Sequence, residues 1–261
     1  LDPACGSGVF LVGAFKRLVQ RWRVQNNFAY PDVATLKGIL SNHVYGADSE
    51  GEAIRITLFS LSVALCDFLE PRVIWRDLQF DNLIGSNLFE GDFFDLVRQK
   101  RLPEHPHVVV GNPPFISELT SGARDEVVLL RKTNPAFDLP DQQIALLFLQ
   151  TATRIASEGG TVALIQPMGP LLYNEKSTPF RKQYLGATQV TQVVDLTHLS
   201  RVLFRRPKFR GLSNAAVAGT SNPGDVAVGV VFAEARAPDD EPLLHVTVRR
   251  TLLAEQKQMF E

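Results

Sequence analysis

The run Asp2-Pro3-Ala4-Cys5-Gly6-Ser7-Gly8 leads straight into residues 9–24, whose apolar side chains recur at helical spacing. Glycines at 6 and 8 let the backbone turn tightly and approach a ligand, so the segment reads as a junction between a strand and a helix. The same alternation continues along the chain. His43 to Ala47 read as a short strand ending at Asp48, and residues 50–68 as a helix. His107 to Val110 read as a strand that runs into Gly111-Asn112-Pro113-Pro114-Phe115. Residues 141–157 read as a helix closed by Gly159-Gly160, with later strands at Thr161 to Ile165, Val190 to Leu196 and Val226 to Ala233. Residues 25–42 are polar and broken, with Pro31 inside. Strands alternating with helices predict an α/β fold, a mostly parallel sheet with helices on both faces. In such sheets ligands bind beyond the carboxyl ends of the strands, which is where the informative motifs fall.

Composition narrows the class. A chain of 261 residues can bury a core without staples. Its two cysteines, Cys5 and Cys66, exclude a disulfide scaffold and suit a reducing cytoplasm. No apolar run approaches the roughly 20 residues of a membrane span. A chain that opens Leu1-Asp2-Pro3 and holds no methionine before Met168 reads as a fragment or an excised domain. Net charge is -1, but it is unevenly spread. Residues 171–210 carry eight Lys/Arg against Glu175 and Asp195, a local charge of +6 that leaves −7 elsewhere. A basic stretch on an acidic domain is either a solvated face or the footprint of phosphate contacts. Residues 234–242 are polar and proline-bearing and read as a linker.

Four motifs carry chemistry. In the first, Asp2 can accept hydrogen bonds from a cationic ammonium group. In the second, Asp48 can accept both hydroxyls of a ribose; the plain alternative is a helix N-cap, a job Ser49 could also take. In the third, Gly91-Asp92-Phe93-Phe94-Asp95, the Asp92 carboxylate can accept from an adenine amino group while Phe93 lies on the ring; alternatively these are a loop acid and a core aromatic. The fourth, Gly111 to Phe115, is the most specific. An exocyclic amine on a base is a poor nucleophile because its lone pair is delocalised. Acceptors on both N–H bonds, the Asn112 side-chain oxygen and the Pro113 carbonyl, favour a pyramidal nitrogen. The prolines remove N–H groups, so the loop presents carbonyls, and Phe115 can stack on an extruded base. His105 and His107 lack the partners of a metal site, so no metal is expected; Cys5 reads as a small filler, and Asn134-Pro135 follows no strand.

Together, in this order, the four motifs resemble the S-adenosylmethionine-dependent DNA adenine-N6 methyltransferases of gamma-class order, found in restriction-modification and phage-defence systems. The likeness continues through residues 138–200. It implies a class I methyltransferase-type, Rossmann-like domain over residues 1–235, N-terminally truncated, then a linker or the start of a following region over 236–261. It implies S-adenosylmethionine as cofactor, with Asp2, Ala4 and Gly6 at its methionine part, Asp48 at the ribose, and Asp92 and Phe93 at the adenine. Asn112, Pro113, Pro114 and Phe115 would hold the target adenine, with Phe180, or else Tyr173, flanking the flipped base. DNA would be the partner, engaged by Arg201, Arg205, Arg206, Lys208 and Arg210, beside fused or separate target-recognition, nuclease or helicase modules. The resemblance also implies a cytoplasmic enzyme. Two rival readings remain: a protein-glutamine or RNA methyltransferase, whose substrate nitrogen poses the same lone-pair problem, and a non-catalytic DNA-binding module of a defence complex.

Overall fold

The computed structural model describes residues 1–200 and 227–248. Helix α1 spans Val9–Gln25, α2 Val33–His43, α3 Gly51–Cys66, α4 Pro71–Asp77, α5 Phe93–Arg98, α6 Ser121–Thr133, α7 Ile144–Ile155 and α8 Thr178–Ala187. The strands are β1 Gly46–Asp48, β2 Leu88–Glu90, β3 Val108–Gly111, β4 Thr161–Pro167, β5 Gln189–Asp195, β6 Val228–Glu234 and β7 Leu244–Thr247.

β1 pairs in parallel with β2, and a five-stranded sheet runs β3-β4-β6-β5-β7. Two residues knit these pieces together. Asp2 bridges Gly46 in parallel and exchanges backbone hydrogen bonds with Tyr45 and Ala47. Leu1 donates to the Val108 carbonyl and accepts from the Val110 N–H. Leu1-Asp2 therefore lies between β1 and β3 as a short piece of strand. The sheet is mixed: β6 runs antiparallel to β4 and β5, and every other pairing is parallel.

Successive residues of β2 show why both faces need helices. Leu88 packs into a core with Phe15 and Val19 of α1, Leu36 of α2 and Leu61 of α3. Phe89 points the other way, into a core with Phe94 of α5, Val127 of α6, Leu147 of α7 and Tyr184 of α8. Burying one such side chain contributes roughly 1.5–3 kcal/mol. The α/β layering holds as expected.

Two local expectations are corrected. Part of the broken stretch 25–42 is helix α2, started by Asp32, whose carboxylate accepts the Thr35 N–H at 2.8 Å. Within the stretch after 235, residues 244–247 rejoin the sheet. Asp239 N–H donates to the Gln189 side chain at 2.8 Å, and β7 adds to β5 in parallel, so this stretch is no free linker. Asn134 caps the end of α6, consistent with its strandless context.

Candidate active site

All four motifs meet at one rim, where the Leu1-Asp2 strand piece, β1, β2 and β3 end side by side. Gly8 takes φ +82° and Gly6 φ +54°, the left-handed region that glycine enters without strain. Space for a side chain is open at Gly6, whereas a methyl group on Gly8 would meet Thr57 at 3.0 Å. Glycine at 8 lets α1 start against α3, and glycine at 6 leaves the turn bare toward a ligand.

Asp48 holds this turn from below. Its Oδ2 accepts the Gly6 N–H at 2.9 Å and its Oδ1 accepts the Glu50 N–H at 3.0 Å. The N-cap position of α3 belongs to Glu50, whose side chain makes no capping bond, so neither Asp48 nor Ser49 caps that helix. Asp2 is completely buried. Its Oδ1 accepts the Ala4 N–H at 3.1 Å, and its Oδ2 has no partner. Burial pushes this carboxyl up to about 7, opposed by the Ala4 N–H and reinforced by the charge of Asp48. Next to Asp48 across the pair of strands, Glu90 lies against the first residue of α3: a methyl group on Gly51 would stand 2.6 Å from its carboxylate. Asp48, Glu90 and Asp92 give this rim an acidic lining, and the Asp2 carboxyl is buried beside it. Burial raises the Cys5 thiol to about 12, so it is inert beside the turn.

Asp92 caps α5, its Oδ1 accepting the Phe94 N–H at 2.9 Å and the Asp95 N–H at 3.2 Å. The ring of Phe93 is not free for a base. It is only 3% exposed and stacks on Phe148, with centroids 4.9 Å apart, so the expected ring contact with an adenine is corrected to a core contact.

Gly111 ends β3 against the first motif: a methyl group there would stand 2.7 Å from Asp2 Oδ1. Asn112 follows, exposed, and among the described residues its side chain makes no hydrogen bond. Pro113 is buried and Phe115 half-buried. Farther on, the Ile116 carbonyl accepts the Ile144 N–H at 3.1 Å, and Gln143 donates to the Ser117 hydroxyl at 2.9 Å. An exposed, unengaged carboxamide beside half-buried aromatic surface can receive an amine and the flat ring that bears it.

Phe180 is 1% exposed and stacks on Tyr184, whose hydroxyl meets Thr153 at 3.0 Å. It belongs to the core and cannot flank an extruded base. Tyr173 is 57% exposed, at the end of a π-helical turn, Gly169–Tyr173, that follows β4. Its hydroxyl donates to the buried Asp195 at the end of β5, and Arg181 braces the turn by donating to the Pro170 carbonyl at 2.9 Å and the Asn174 carbonyl at 2.6 Å. Arg181 is thereby a structural member of the basic stretch. Arg201, Arg205, Arg206, Lys208 and Arg210 lie outside the described residues.

Two side chains escaped the sequence reading. Thr120 caps α6 and donates to Asp92 Oδ2 at 2.5 Å; a threonine just before a helical pattern was the available signal. Gln166, in β4 two residues beyond Leu164, the partner of Gly111, is completely buried with neither amide atom hydrogen-bonded. Nothing in the sequence marks it.

The family model for the Eco57I restriction-modification methylase matches residues 42–202, more than half of the chain. The chain belongs to this family. Over 234 residues it is 28% identical to the adenine-specific methyltransferase PglX of Streptomyces coelicolor, covering 75% of this chain and 19% of that protein. The fold is shared with the M protein of the type I restriction enzyme EcoKI, at TM-score 0.57, 17% identity, and coverage of 95% of this chain and 44% of that one. It is shared also with the type ISP restriction-modification enzyme LlaGI, solved with a DNA substrate mimic, at TM-score 0.66, 9% identity, and coverage of 99% and 22%. This methylase-family chain thus spans about a fifth of the PglX relative and less than half of the EcoKI M protein. Among its described residues no helix is long and apolar enough to cross a membrane.

Proposed function

We propose that this protein transfers a methyl group from S-adenosylmethionine to N6 of an adenine in DNA, within a restriction-modification or phage-defence system. The observation that carries the reading is the seat of Gly111 on the carboxylate of Asp2. It sets the loop Asn112 to Phe115 directly beside the acid-lined glycine turn, so an amine and a methyl donor can meet there. Membership in the methylase family and the likeness to an adenine-specific relative support the choice of adenine.

The residues fit the cofactor chemically. Asp2 keeps one buried oxygen without a partner, suited to the ammonium of the methionine part. Ala4 and Gly6 form the open side of the turn, Asp48 serves the ribose hydroxyls, and Asp92 serves the adenine amine. When bound, S-adenosylmethionine supplies an already activated methyl, so positioning does most of the work. Asn112 accepts one N–H of the target amine and the Pro113 carbonyl the other. That pair favours a nitrogen whose lone pair points away from the ring. Pro114 keeps the loop free of a competing N–H, and Phe115 stacks on the extruded base. Tyr173, not Phe180, is the aromatic available to flank that base from the next strand. The basic residues Arg201 to Arg210 take the DNA phosphates. Cytoplasmic location and attached recognition or nuclease modules belong to the same reading.

Asn112→Ala tests it. If Asn112 binds the amine chiefly as the nitrogen becomes pyramidal, its loss lowers turnover rather than binding. Single-turnover methylation of adenine should fall roughly 10²-fold or more, with little change in affinity for S-adenosylmethionine or DNA. A preserved rate, or a rate and an affinity that fall in step, makes the loop a structural turn.

A further inference from the structure

The target loop, residues 112–120, begins and ends on cofactor-side carboxylates. At its start, Gly111 abuts Asp2 Oδ1. At its end, the Thr120 hydroxyl donates to Asp92 Oδ2 at 2.5 Å and accepts the Ala123 N–H at 3.1 Å. The Asp92 carboxylate also accepts two N–H groups of α5 on Oδ1. Two helix starts, those of α5 and α6, thus converge on one acid. Gly122 makes the approach possible, since a methyl group there would stand 2.3 Å from Asp92 Oδ1. A carboxylate has about four acceptor positions. Three are filled, and the remaining one is on Oδ2, beside the Thr120 hydroxyl.

We propose that Thr120 is a positioning residue through which cofactor binding orders the target loop. The inference rests on the reading that the site takes S-adenosylmethionine with its adenine amine at Asp92. An amine donated to the last position on Oδ2 fixes the plane of the carboxylate. Thr120, bonded to the same oxygen, is fixed with it. The bond between Thr120 and Asp92, already present in the structure, is thereby held more firmly, and with it the loop that presents Asn112 and Phe115 to a base. Thr120 touches neither substrate nor the reacting atoms and acts only through Asp92.

Hydrogen exchange of the protein with and without S-adenosylhomocysteine tests this without a target sequence. Amides of residues 115–123 should exchange several-fold more slowly when the nucleoside is bound. In Thr120→Val that protection should vanish, while amides of residues 4–8 remain protected at saturating nucleoside. Thr120→Ser should restore it. Thr120→Gly, which retains a tolerated N-cap residue but no hydroxyl, should match Thr120→Val and covers the case in which valine prevents folding. A merely structural cap would lower thermal stability in Val and leave the nucleoside-dependent protection intact; that outcome overturns the proposal, as does an unprotected loop in the saturated wild type. If calorimetry finds no binding of S-adenosylhomocysteine, the cofactor reading itself fails and the inference falls with it. If it binds and Asp92→Asn weakens it while Thr120→Val keeps loop protection, the cofactor reading stands and the inference alone fails.

Discussion

Gly111 and Asp2 share one small volume: the position a methyl group would take at 111 lies 2.7 Å from Asp2 Oδ1 and 3.2 Å from Pro3 Cδ. Asp2 is completely buried and held by the Ala4 N–H, so neither neighbour can swing aside. Gly111→Ala should therefore lower stability by about 1–3 kcal/mol, the usual cost of overpacking. It should also weaken cofactor binding, because the displaced group is Asp2. Denaturant unfolding and calorimetry check the two effects, and an unchanged unfolding midpoint would show that the contact is slack.

Asp2 sets a pH dependence. Its carboxyl is raised to about 7 chiefly by burial, and a cation needs it ionised. Affinity for S-adenosylmethionine should rise with pH up to about 7, by at most tenfold per unit, and level off above. Asp2→Asn should remove that part of the slope. The ligand-free fold should show the opposite trend. A carboxyl raised in the folded state stabilises it below the unfolded value near 4, and that stability is lost as pH climbs through about 7. Equal slopes for wild type and Asp2→Asn, in binding and in unfolding alike, would remove Asp2 from both roles.

Asp48→Ala should weaken S-adenosylmethionine by about 1.5–3 kcal/mol, the range for a hydrogen bond to a charged group. The Gly6 N–H loses its acceptor at the same time. Unchanged calorimetric affinity would reduce Asp48 to a brace for the turn.

Gln166 carries an amide whose oxygen and nitrogen are both buried and unpaired. Leaving such groups without partners costs about 1–3 kcal/mol, and a thioether of similar shape does not incur that cost. Gln166→Met should raise the ligand-free melting temperature by several degrees. A lower melting temperature would mean that the amide has a hydrogen-bonding partner in solution.

Which parts were legible follows from distance along the chain. The glycine turn, Asp48 and the loop at 111–115 are short motifs whose chemistry depends on neighbouring residues, and the structure gathers them at one rim. Phe93 and Phe180 show the limit. An aromatic beside a site motif looks the same whether it faces a ligand or the core, and only Phe148 and Tyr184, far away in sequence, settle it. The bond between Thr120 and Asp92 joins residues 28 apart and leaves no periodic trace. Helix α2 was hidden by Pro31, although Asp32 after it is an ordinary helix start.

β6 is made after β5, yet it lies between β4 and β5, which do not pair with each other. Until residues 228–234 are made, each of those strands presents an open edge to whatever strand it meets. The acid-lined rim and the target loop belong to the part finished earlier, on strands up to β4. Assembly during synthesis is therefore uneven: the half that carries the four motifs can form first, while β5 waits for a strand more than thirty residues downstream. A chain halted in that interval would be the form most exposed to edge-to-edge aggregation; β6 covers the open edge of β4 and one edge of β5, and β7 covers the other.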